Sequence, residues 1–327
     1  MNILHITNAY PVSKDPAYGI FIKEQIGSIE EQGHQVRTIF INALEKGKLE
    51  YLKKIVAIRK TAKWADVIHC HHMYTGFLTL FICRPDKPVV TSFMSPRGSE
   101  GRNDKFNILK KELYDYVQQK STMFIVKENP SIVDNFKNKG YYLPNGTDLS
   151  FFKVIDCETS KNKLSLSIKK KYLLFCSAGD KWREEKRYDI FRSVLKVVAE
   201  KTKMPVDGLL LINAPRELVP YYFNASSVFL LTSDHEGSPN AVKEALACNV
   251  PIVSTNVGNV KYLLDGVSGC YVSKTNDIEE LAEYVIKSLK SETIKGRERI
   301  KNLKLDMRSV AIELLTVYQK TIELHKI

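Results

Sequence analysis

Short apolar runs and helix-periodic segments take turns along the whole chain. Ile3–Thr7 is an apolar run, a turn-rich loop covers Asn8–Gly19, Ile20–Ile29 has helical periodicity, and Gln35–Phe40 is the next run. That order predicts a βαβ unit. Further runs at Asp66–His69, Pro88–Phe93 and Ser121–Val126, then at Tyr172–Cys176, Leu209–Asn213, Ser227–Leu231 and Val250–Val253, carry the alternation through both halves of the chain. Strands alternating with helices build parallel sheets covered on both faces, so the pattern predicts an α/β protein of two doubly wound, Rossmann-like domains. A last helix, expected from about Asp306 to His325, is long enough to pack back on the first domain.

One stretch in this pattern carries chemistry. Ser233–Ala247 lies between the runs Val228–Leu231 and Val250–Val253, which makes it the loop and helix of a strand-loop-helix-strand unit. Ser238 is a good N-cap residue, and Pro239 suits the first helical position, where a missing N–H costs nothing. The helix is expected to start near Pro239. The free N–H groups of Asn240, Ala241 and Val242 then lie at the positive end of the helix dipole, a setting for a phosphate group. Glu236 precedes the helix and Glu244 lies within it, roughly 7–8 Å further along the axis at 1.5 Å per residue. Carboxylates on either side of a phosphate-binding helix end suit a polyhydroxylated ligand that carries a phosphate, as a nucleotide sugar does. Without context, the same pair also reads as a loop charge and an exposed helix residue.

From Val228 to Gly258 the chain resembles the Glu-x7-Glu signature of retaining glycosyltransferases with the GT-B fold, in particular glycosyltransferase family 4. The resemblance implies two domains facing an interdomain cleft, with Glu236 at the donor sugar and Glu244 on the ribose hydroxyls. It also places the backbone of Gly237, Ser238, Pro239, Asn240, Ala241 and Val242 against the sugar and diphosphate. Tyr141–Phe152, with Pro144-Asn145-Gly146-Thr147-Asp148, resembles the family's crossover between domains. The expected domains are therefore 1–152 on the acceptor side, a polar, lysine-rich linker at 153–170, and a nucleotide-sugar-binding domain at 171–327 that includes the crossover helix. Arg183 and Lys186 follow a glycine-containing loop at a strand end, and in the resemblance they hold the leaving diphosphate. On their own they also fit the mixed-charge start of a helix. Gly19 would face the donor from the first domain, where family members often carry two glycines.

Three positions bear on the acceptor side: Met94, His72 and Arg97. The family's histidine near the reacting sugar is replaced here by Met94, which cannot donate a hydrogen bond as an imidazole does. His72 and Arg97 are the acceptor-side candidates. His69, His71 and His72 invite a metal reading, but His69 and His71 share one face of a strand and no fourth ligand is evident, so no metal is expected. The chain also lacks an Asp-x-Asp motif, which argues against the Mg-dependent GT-A class.

Composition narrows the partners. Across 327 residues, 44% are hydrophobic and 26% charged, and the formal net charge is +12, which suits anionic substrates, an anionic membrane surface or nucleic acid. No nucleic-acid-binding module or aromatic-basic signature is present, so nucleic acid is set aside. Residues 45–63 carry seven basic and two acidic residues, with apolar positions at helical intervals, and either lie on an anionic membrane surface or form a solvated face. The start of the chain lacks a signal-peptide pattern and no apolar run reaches membrane-spanning length, so a cytoplasmic protein is expected, with peripheral attachment to the inner face of the plasma membrane as a further option. Six cysteines without CxxC spacing read as free thiols. The reading is a retaining, metal-independent glycosyltransferase without a cofactor, moving a sugar from a nucleoside diphosphate donor to a saccharide or lipid-linked saccharide in cell-surface polysaccharide or glycolipid synthesis. A sugar-nucleotide epimerase of the same fold and a non-catalytic nucleotide-sugar-binding protein are the alternatives.

Overall fold

The computed structural model describes residues 1–94, 104–136, 138–177, 183–275, 277–291 and 294–326. Two compact units divide the chain: Met1–Pro11, Gly19–Gly146 and Met307–Ile327 form the first, Val12–Tyr18 and Thr147–Asp306 the second.

In the first unit, β1 (Asn2–Thr7), β2 (Gln35–Phe40), β3 (Val67–His71), β4 (Val89–Ser92), β5 (Met123–Val126) and β6 (Gly140–Tyr142) form one parallel sheet. Its order is β2-β1-β3-β4-β5-β6. Alternation along β1 and β3 sorts their side chains between two faces. Leu4, Ile6, Ile68 and Cys70 enter an apolar cluster with Ile58 and Ala62. His5, His69 and His71 belong to the other face, where Tyr318 of the helix Met307–His325 meets His5 and His69. That last helix packs against the helix Ile20–Glu30 and is part of the first unit.

The second unit holds a parallel sheet of β7 (Lys171–Ser177), β8 (Val206–Ile212), β9 (Val228–Leu231), β10 (Ile252–Ser254) and β11 (Tyr271–Val272), in the order β11-β10-β9-β7-β8. Phe175, Val228 and Leu230 share an apolar cluster with Ile190, Phe191 and Val194 of the helix Tyr188–Thr202 and Leu281 and Val285 of Ile278–Leu289. The chain leaves β7 towards β8 on one side, then crosses to β9 on the other. The order therefore reverses between β7 and β9, and the crevice beyond their carboxyl ends is where such sheets bind ligands.

Local structure departs from the sequence expectation at several points. Residues 45–63 are broken into helices Ala43–Lys46, Glu50–Lys53 and Ile55–Ala62. Asn42 caps the first by accepting from the Glu45 amide, and Gly47, at φ 79°, ends it. The apolar residues divide: Ile58 and Ala62 are buried, whereas Leu44, Leu49, Leu52 and Val56 are 56–76% exposed. The segment after Asn129 is a 3-10 helix, Pro130–Phe136. Residues 153–170, expected as a linker, contain the helix Cys157–Lys163, capped by Asp156 and folded into the second unit. Its buried Lys161 donates from Nζ to the Lys170 carbonyl at 2.8 Å. Asp277 caps the helix Ile278–Leu289 by accepting from the Glu279 amide, while Glu280 accepts from Ser273 rather than closing a capping box. All six cysteines are free. Among the described residues, no helix is long and apolar enough to cross a membrane.

Candidate active site

Residues 183–187, which follow β7, are tied to residues 232–236, which follow β9. Asp234 N–H donates to the Glu185 carbonyl at 2.8 Å, and Thr232 Oγ1 donates to the Lys186 carbonyl at 2.8 Å. Arg187 spans the same loops to Asp234 at 3.1 Å. These bonds bring Lys186 to Glu236, with Nζ donating to Oε1 at 2.6 Å and both side chains only 15% exposed. Ser233 Oγ donates to the same carboxylate oxygen at 2.7 Å. The short bond between carboxylate and amine fixes the two side chains against each other.

The helix that follows is Asn240–Ala247, one residue later than expected. Pro239 is the N-cap, with ψ 118°, and no side chain caps the helix. Ser238 does not cap because its Oγ accepts from Asn259 Nδ2 at 3.0 Å. Asn259 N–H also donates to the Gly237 carbonyl at 3.1 Å, so the loop after β10 fastens the loop that carries Glu236. Gly258 makes this approach possible. A Cβ built there would stand 2.1 Å from the Gly237 oxygen, and its φ of 52° is unfavourable for other residues. Asn240 Oδ1 is buried without a hydrogen-bond partner among the described residues, an acceptor open to a ligand hydroxyl.

Glu244 sits further along the helix, paired with Arg216 at 3.4 Å. The Arg216 guanidinium lies over the rings of Phe151 and Phe152, 5.0 and 4.9 Å from their centroids. Burial raises the Cys176 thiol well above the usual range, and the nearby Glu244 carboxylate raises it further. The thiol therefore stays protonated and is no nucleophile at neutral pH.

Arg183 pairs with Glu185 at 2.6 Å and is 45% exposed, while Lys186 alone of the two cations reaches Glu236. Gly19 belongs to the first unit, at φ 64°, where a Cβ would lie 2.3 Å from the Ala9 carbonyl carbon. His72, also in the first unit, caps the helix Met73–Phe77 by accepting from the Tyr74 amide, its ring 4.9 Å from that of Tyr74. Arg97 lies outside the described residues. Ser233, Arg216, Gly258 and Asn259 were not singled out from the sequence. Only the glycine in Thr255–Asn259 offered a signal, as a backbone position open to close approach.

Two parallel α/β units, one carrying a Lys–Glu pair beside a helix N-terminus at its topological switch point, define a protein of the GT-B class. The HepE protein of Anabaena, solved in complex with UDP, shares this fold with a TM-score of 0.68 over 98% of this chain and 100% of its own, at 15% identity. Residues 169–291, within the second unit, match the family described as Glycosyl transferases group 1. A UDP-Gal:alpha-D-GlcNAc-diphosphoundecaprenol alpha-1,3-galactosyltransferase of Escherichia coli is 24% identical over 77% of this chain and 74% of its own length. A probable sucrose-phosphate synthase of Thermosipho melanesiensis is 26% identical over 50% of this chain, and the match spans only 44% of that protein.

Proposed function

We propose that the chain transfers a sugar from a nucleoside diphosphate donor to a hydroxyl acceptor, with retention at the anomeric carbon and without a catalytic metal. The observation that carries this reading is the Lys186–Glu236 pair at the carboxyl ends of β7 and β9, beside the free amides of a helix. In the reaction, the diphosphate oxygens take Lys186 and the amides of Asn240, Ala241 and Val242 as donors, and Arg183 adds charge at the edge. The developing negative charge on the leaving diphosphate is met by groups already in place. Glu236, released from Lys186, orients the sugar hydroxyls. Asn240 Oδ1 accepts from another hydroxyl, and Glu244, held by Arg216, accepts from the ribose. The leaving diphosphate takes the acceptor proton on the face it departs from, so no enzymic nucleophile is required. Gly19, His72 and Arg97 are assigned to the first unit's side of the reaction.

HepE binds UDP and the E. coli relative uses UDP-galactose by its name, so uridine donors are the first to test. Thermal melting in UDP, GDP, dTDP and ADP sugars, with and without Mg²⁺, should show a metal-independent rise with one nucleotide series. Glu244→Ala should weaken that donor about tenfold or more, as loss of a hydrogen-bonded charged group costs roughly 1.5–3 kcal/mol. An unchanged donor affinity removes Glu244 from the ribose. Product analysis separates transfer from epimerisation.

The acceptor is proposed to be a lipid-linked saccharide reached at an anionic membrane. Leu44, Leu49, Leu52 and Val56 are exposed on a segment rich in lysine. In flotation with phosphatidylglycerol vesicles, replacing Leu49, Leu52 and Val56 by aspartate should cut binding about tenfold or more, since each buried apolar side chain contributes roughly 1.5–3 kcal/mol. Equal flotation of variant and wild type leaves the segment as a solvated face.

A further inference from the structure

Three histidines meet inside the first unit. His5 pairs with His69 in the register of β1 and β3, and His71 lies two residues further along the same face. All three are fully buried. Each offers one ring nitrogen to a common space in which these atoms lie within 4.8 Å of one another. Ring centroids are 5.1 Å apart for His5 and His69, 5.0 Å for His5 and His71, and 4.1 Å for His69 and His71. His5 Nδ1 and His71 Nε2 are 2.7 Å apart.

An apolar core accommodates three imidazoles when their nitrogens are satisfied, and here one nitrogen is not. His71 Nδ1 is buried without a partner among the described residues. A divalent cation would use a lone pair from each ring at once. From a metal–nitrogen distance of about 2.0–2.1 Å and tetrahedral angles, ligating nitrogens stand about 3.3 Å apart, which small ring movements reach from the present spacing. Burial lowers the His5 pKa to about 3 and also lowers those of His69 and His71.

Metal-bound imidazoles are normally oriented by a hydrogen bond at the other nitrogen. His69 has both partners: Nδ1 is 2.7 Å from Tyr318 Oη and Nε2 is 2.7 Å from Ser92 Oγ, so either nitrogen can ligate while the other donates. Tyr318 Oη also lies 3.5 Å from His5 Nε2, which leaves His5 Nδ1 facing His71. Lys127 lies near His69 and His71, and burial lowers its pKa to about 7.

We propose that His5, His69 and His71 bind one divalent transition-metal ion, Zn²⁺ by preference, as a structural site joining β1 to β3. Three neutral nitrogen donors without a carboxylate or thiolate select zinc, cobalt, nickel or copper over magnesium or calcium. The ion is separate from sugar transfer and requires no change in the donor site.

The test is metal content and Co²⁺ spectroscopy on the full chain. Protein purified from zinc-supplemented cells should carry one zinc per chain, and chelator-treated protein should take up one equivalent of Co²⁺ with visible ligand-field absorption. Removal of the ion should lower the melting temperature. His5→Gln and His69→Gln should bind at least about 100-fold more weakly, since even partners outside the ligand shell cost 10–100-fold in affinity. His72→Gln and His235→Gln should bind as wild type. Should His5→Gln or His69→Gln fail to fold, X-ray absorption on wild-type protein still decides: three imidazole nitrogens around the metal support the site. Absence of a stoichiometric ion, or binding unaffected in folded His5→Gln, overturns it.

Discussion

Gly258→Ala is expected to lose sugar transfer about 100-fold while remaining folded, because displacement of catalytic groups by about 1 Å can cost that much. The added methyl would stand 2.1 Å from the Gly237 oxygen and 2.8 Å from the Glu236 oxygen. Neither is the end of a flexible side chain, so the backbone of the Glu236 loop has to move. The Asn259 amide bond to Gly237 and the Asn259 side-chain bond to Ser238 would be disturbed with it. A positive φ at a residue with a Cβ adds roughly 1–2 kcal/mol of strain, so a modest fall in melting temperature should accompany the loss. The readout is kcat/KM beside a far-UV circular dichroism spectrum. Wild-type turnover in Gly258→Ala would show that the geometry of this loop does not govern the reaction.

The second large effect is expected at the ion pair. Glu236→Gln removes the carboxylate that Lys186 and Ser233 hold in place. Transfer should fall about 10²–10³-fold, comparable to removal of a group that stabilises a transition state. Nucleotide affinity should change far less, since Lys186 remains to meet the phosphates. Lys186→Met should lower both, because it removes a phosphate partner and leaves Glu236 as an unpaired, half-enclosed anion. A double-mutant cycle on kcat/KM separates these contributions. If Glu236→Gln transfers sugar at the wild-type rate, Glu236 does not touch the reacting sugar, whereas a defect confined to nucleotide affinity would move it to the ribose or base.

Much of this architecture was legible in the sequence because each strand is a short run bounded by turn residues. The alternation with helices fixed the fold class, and the strands around Ser233–Ala247 located the loop at the switch point. Legibility failed where a contact joins distant residues. Ser238 has the chemistry of an N-cap, but Asn259, 21 positions away, claims its hydroxyl and the helix begins one residue later. Arg216 carries no local signal in the sequence for the place the fold gives it, over Phe151 and Phe152 beside Glu244. The histidines show the same limit. His69, His71 and His72 drew notice as neighbours in sequence, yet His72 turns away to cap a helix, and His5 arrives through strand pairing. Residues 45–63 read as one amphipathic helix because periodicity is blind to the break at Gly47.

The helix Met307–His325 completes the first unit although more than half the chain separates it from β1. On a ribosome, the second unit can be whole before the first is closed, since Thr147–Asp306 emerges ahead of that helix. Until then the sheet face carrying His5 and His69 lacks Tyr318. The domain begun first is finished last, and the nascent protein must carry an open apolar and imidazole-lined surface through most of its synthesis. Loss of the helix that carries Tyr318 would therefore be felt at the oldest strand, a vulnerability of the kind that chaperones exist to shelter.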